Sequence, residues 1–81
     1  MKIKFKELPL KYKYIGEGKY KDKTIKYEIS ILIHGINNYL LTCIHDNDKK
    51  EKWQYVYLDG AKNDAQEHWD YHVNIWKKNG I

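Results

Sequence analysis

The change in hydrophobic period near residue 59 constrains the fold of this chain more than any other feature. Upstream of it apolar and polar residues alternate, as in strands with one buried face; downstream they recur every three to four residues, as in an amphipathic helix. Lys2-Ile3-Lys4-Phe5-Lys6 sets two apolar residues against three lysines, and Pro9 ends the run, so residues 1–9 are expected to form an edge strand or an arm. Lys11-Tyr12-Lys13-Tyr14 repeats the alternation with tyrosines. Gly16 and Gly18 then suggest a bulge, and Lys21-Asp22-Lys23 a tight connection.

The strongest strand signal runs from Thr24 to Ile33, where Ile25, Tyr27, Ile29, Ile31 and Ile33 share one face. Gly35 and Asn37-Asn38 supply turn chemistry, because both residue types tolerate positive φ. Tyr39–His45 reads as a central strand, Asp46–Lys52 as a solvated loop, and Trp53–Leu58 as the last strand. Residues 59–79 then form a helix whose inner stripe is Ala61, Ala65, Trp69, Val73 and Trp76, with Asp59 or Asn63 as N-cap. Gly80 followed by Ile81 matches a Schellman ending in which Ile81 folds back on Trp76, and a stop signal there reads as a natural C-terminus. The expected fold class is α+β. A curled antiparallel meander of four to five strands spans residues 10–58, one C-terminal helix packs across it, and residues 1–81 form a single small domain.

Charge and cysteine content exclude several classes of function. Fifteen lysines, no arginine and eleven acids give a formal +4, concentrated in residues 1–28, which hold nine lysines against four acids. Without arginine the chain lacks the usual donor for bidentate contacts to guanine or phosphate, which disfavours a sequence-specific DNA reader. A single cysteine rules out a disulfide framework and a thiolate-based zinc site. No apolar run is long enough to span a membrane and no signal-peptide core is visible, so a cytoplasmic location is expected, with no membrane partner.

Each constellation that might carry chemistry meets an objection. His68 and His72 lie four apart on the helix with Asp64 one turn earlier, a stripe compatible with zinc, but Trp69 stands where a zinc protease places its glutamate. His72 falls inside the apolar arc, and His34 and His45 read as strand ends, so no metal or other cofactor is assigned. Cys43 and His45 share one side of a strand but lie too far apart for a relaxed hydrogen bond, and Cys43 reads as a small core residue. Asp46-Asn47-Asp48 begins like a calcium loop, but Glu51 occupies the position of the required glycine. No catalytic residues are assigned, and an enzyme is the least supported class.

Two binding functions remain. The favoured one is a small non-enzymatic protein that occludes or bridges a protein partner, of the inhibitor, immunity or anti-defence type found in phages and mobile elements. Twelve of the 81 residues are aromatic, a surplus that suits an interface. The contact residues expected are Tyr12, Tyr14, Tyr20 and Tyr71 with Lys11, Lys13, Lys19 and Lys21. The alternative is a sequence-independent binder of single-stranded nucleic acid, with the same lysines on phosphates and tyrosines stacked on bases. An exposed edge near residues 2–6 leaves monomer and homodimer both open.

Overall fold

The computed structural model describes residues 1–32 and 38–81, so the expectations for Ile33, His34, Gly35 and Asn37 lie outside the described residues. Five strands form one antiparallel sheet in the order of the chain: β1 (Lys6–Leu8), β2 (Lys13–Tyr20), β3 (Lys23–Ile31), β4 (Tyr39–Ile44) and β5 (Lys50–Tyr55). Helix α1 (Leu58–Lys78) packs across one face. The protein is therefore an α+β open meander with a single C-terminal helix. Among the described residues no helix is long and apolar enough to cross a membrane.

Burial follows the alternation read from the sequence. Ile25, Tyr27 and Ile29 of β3 and Leu41 and Cys43 of β4 turn toward the helix and are almost fully buried. The helix answers with Ala61, Ala65 and Trp69, flanked by half-buried Val73 and Trp76. Two alanines at the contact let the helix backbone approach closely, and Trp69 then fills the space between helix and sheet. The end of α1 forms the expected cap: Gly80 has φ +75°, its N–H donates to Lys77 (3.2 Å), and the Ile81 N–H donates to Trp76 (2.9 Å). These are the two bonds that define a Schellman motif.

The N-terminal residues are both arm and edge strand. Lys6–Leu8 pair with Lys13–Ile15, while residues 1–5 run on beside β2. Ile3 enters the core, only 5% exposed, and Gln66 of α1 clamps the arm from the helix side. Its Oε1 accepts from the Ile3 N–H (2.8 Å) and its Nε2 donates to the Met1 carbonyl (3.0 Å).

Three local expectations need correction. Gly16 and Gly18 make no bulge, because Lys13–Tyr20 pair without interruption with Lys23–Ser30. The glycines serve packing instead: a Cβ on Gly16 would meet Ile3 at 2.8 Å, and one on Gly18 would meet Trp69 at 2.5 Å. The last strand begins three residues earlier than expected, since Lys50–Lys52 pair with Thr42–Ile44; the solvated loop shrinks to a turn closed by the His45 N–H to Lys49 (2.9 Å). Finally, α1 starts at Leu58 with Tyr57 as N-cap and no side-chain cap; Asp59 lies in the first turn and Asn63 inside the helix. An acidic group there still favours the helix through its dipole.

Candidate functional site

Covering one sheet face with the helix leaves the other face open, and the strand period decides what it carries. Register places Lys13 and Lys19 of β2, Lys26 of β3, and Lys50 and Lys52 of β5 opposite the buried side. Lys6 joins them from β1. Lys2 and Lys4, which alternate with inward-facing Ile3 and Phe5, line with Lys6, Lys26, Glu17 and Glu28 a groove of about 720 Å³ between the arm and the sheet. Eight lysines thus surround two glutamates. Glu17 pairs with Lys19 (3.4 Å) and Glu28 lies 3.9 Å from Lys13, which among the described residues leaves the remaining cations of that face without an ion-pair partner. Half-buried Ile15, Leu40 and Ile44 lie among them. The outer side of α1 is different in character, with Asp59, Asp64, Glu67 and Asp70 against Lys62 and the C-terminal Lys77 and Lys78.

The residues expected to bind a partner are distributed over this framework rather than gathered in one patch. Lys13 and Lys19 belong to the open face. Lys11 ends a 3-10 turn (Pro9–Lys11), and Lys21 occupies the β2–β3 turn at φ 54°, its ammonium 5.5 Å from the Tyr20 ring centre. Tyr12, in the left-handed region at φ 52°, is 59% exposed beside fully exposed Leu10. Tyr71 is exposed on α1, edge-on to His72. Tyr14 and Tyr20 instead face the helix side. Tyr14 packs against the core under Lys62, and Tyr20 stacks on Trp76 while its hydroxyl donates to the Ile81 carbonyl (2.9 Å). Truncating either would act on packing as well as on any partner.

A second group of side chains gathers between the helix and the sheet, beside Trp76. His68 and His72 of α1 meet His45, the residue that follows β4, with ring centres 4.5–5.3 Å apart. Glu51 of β5 accepts from His45 Nε2 at 3.0 Å. Asp64, which shares the helical stripe with the two histidines in sequence, points elsewhere and accepts from the Tyr55 hydroxyl (2.7 Å). Burial, with His72 beside it, holds the His68 imidazole down to about 4 against the pull of Glu51. Burial also lowers His72, with His45 adding to the effect. Both rings are therefore neutral near pH 7, with nitrogen lone pairs free to accept.

His45 is the member that sequence reasoning missed, because it lies 23 residues from His68 and reads there as a strand end. A sharper register for β5 would have pointed to it: pairing Cys43 with Glu51 puts the end of β4 beside the carboxylate. Comparison of the chain with protein-family models, with curated proteins and with solved structures finds no significant match.

Proposed function

We propose that this protein is a small binding protein that occludes or bridges an acidic protein partner through the open face of its sheet. The observation that carries the reading is the split of the molecule into a helix-covered face and an uncovered face holding eight lysines and two glutamates. Such a field speeds encounter with an acidic surface and disfavours basic ones. Apolar Ile15, Leu40 and Ile44 among the lysines offer area to bury once the partner has docked. Inhibitor, immunity and anti-defence proteins act by occlusion of this kind.

The alternation also weighs against the nucleic-acid reading. Single-strand binders use aromatic rings beside cations, so that bases stack while phosphates are neutralised. Here Lys13 and Lys19 face one way, while Tyr14 and Tyr20 face the other and are occupied by the helix. Phosphate contacts alone would give binding that fades with salt.

Two experiments test the proposal together. Labelled single- and double-stranded oligonucleotides are titrated by polarisation at low and near-physiological salt, and cell extract is cross-linked to the wild type and to Lys26→Glu/Lys52→Glu. The expected result is oligonucleotide binding that vanishes with salt, together with an acidic protein captured by the wild type and lost from the variant. Micromolar oligonucleotide binding that persists at the higher salt, or capture indifferent to the charge reversal, overturns it.

A further inference from the structure

We infer that His45, His68, His72 and Glu51 form a binding site for a divalent transition metal of the zinc type, one that staples helix α1 to the β4–β5 hairpin. One ring nitrogen from each histidine lies within 4.8 Å of the other two. Ligands on a tetrahedral zinc ion stand about 3.4 Å apart, given Zn–N bonds of about 2.0–2.1 Å. Small side-chain rotations close that gap: His68 and His72 lie one turn apart on α1 and His45 follows β4, with His45 and His68 at 15% and 12% side-chain exposure.

Three further features of the cluster fit a metal. First, Nε2 of His68 is buried and has no hydrogen-bond partner among the described residues, where Oε2 of Glu51 is 3.7 Å away. A buried polar atom left so costs about 1–3 kcal/mol. A cation at that point satisfies it. Second, Nδ1 of the same ring lies 2.8 Å from the Tyr27 hydroxyl. With Nδ1–H donating to Tyr27, the lone pair at Nε2 faces the cluster, the outer-sphere arrangement that orients metal-bound histidines. Third, Glu51 lies beside two of the three imidazoles, 3.0 Å from His45 and 3.7 Å from His68. Three imidazole nitrogens, with a carboxylate beside two of them, can fill the four positions of a tetrahedral zinc ion, and the carboxylate neutralises half the charge of the ion. Asp64, bonded to Tyr55, takes no part.

The site is independent of the lysine face, which lies on the opposite side of the sheet. Zinc and, separately, cobalt(II) are titrated into metal-free protein carrying His34→Gln, so that every imidazole signal comes from the three cluster histidines. The expected result is one ion per chain at micromolar affinity or tighter, a rise in Tm with added zinc, and an intense tetrahedral cobalt spectrum. His45→Gln and His72→Gln each lower affinity at least tenfold. Tyr27→Phe lowers it about 10- to 100-fold through the outer sphere, and Asp64→Asn leaves it unchanged. If a histidine variant fails to fold by circular dichroism, ring-nitrogen NMR of the parent decides, since all three imidazoles must shift with one equivalent of zinc. Absence of stoichiometric binding, an octahedral cobalt spectrum, or affinity insensitive to His45 and His72 overturns the assignment.

Discussion

A methyl group placed on Gly18 would lie 2.5 Å from the ring of Trp69, closer than any relaxed carbon contact. The absence of a side chain on β2 and the presence of the largest one on α1 are thus two halves of a single packing solution. Trp69 is 2% exposed, and Ala61 and Ala65 on the same helical stripe are fully buried.

Gly18→Ala is accordingly expected to destabilise the domain by about 1–3 kcal/mol, the usual cost of forcing extra volume into a filled core. Trp69→Ala should cost about 3–5 kcal/mol, enough to unfold most of the population of so small a domain. Urea denaturation measures both. A Gly18→Ala protein as stable as the wild type would mean that Trp69 can move aside freely.

Gln66 bridges two backbone groups of the arm with one amide, and its Nε2 also reaches Asp70 (3.0 Å). Gln66→Ala should release residues 1–5, costing about 1–2 kcal/mol. Hydrogen exchange gives the more specific reading: the Ile3 amide should lose its protection while β3 amides keep theirs. Equal protection of Ile3 in both proteins would show that burial of the Ile3 side chain alone holds the arm.

Burial, with Glu51 on the neighbouring strand adding to it, pushes the Cys43 thiol up to about 12. In the unfolded chain the same thiol ionises near 8.5. A raised folded value means that the unfolded state gives up its proton first, so the stabilisation is complete below about pH 8.5 and is lost as pH rises toward 12. The stability difference between wild type and Cys43→Ala should therefore shrink by about 1.4 kcal/mol between pH 7 and pH 9.5. Thiol reagents should label native protein only through unfolding. Rapid labelling at neutral pH would refute the buried thiol.

Tyr20 closes the C-terminal cap from the sheet side by donating to Ile81 and stacking on Trp76. Tyr20→Phe keeps the stack and removes only a solvent-exposed bond, so a loss of under about 1 kcal/mol is expected. Tyr20→Ala removes both and should fray the last turn of α1, read as faster amide exchange at Asn79, Gly80 and Ile81. Equal exchange in the two variants would show that the stack contributes nothing.

Most of the fold was legible because it rests on local periodicity. The inward set Ile25, Tyr27, Ile29 and the stripe Ala61, Ala65, Trp69 are each written in one continuous segment, and burial against a single partner layer requires that spacing. The helix stop at Gly80 was equally local, since a left-handed residue after the last turn calls for glycine. The boundaries that shifted were those set by pairing across the chain. Lys50–Lys52 look like solvated loop in sequence, and only the unsatisfied backbone groups of Ile44–Thr42 draw them into β5.

Sequence by itself determined the α+β class, the strand faces, the helix and its cap, and the excess of lysine, because each depends on residues a few positions apart. Tertiary structure alone decided that Lys50 and Lys52 join the uncovered face, why Gly16 and Gly18 must be small, and that His45 and Glu51 stand against His68 and His72 while Asp64 does not. Those outcomes depend on which helix turn lies over which strand, a matter of packing between elements that no local period encodes.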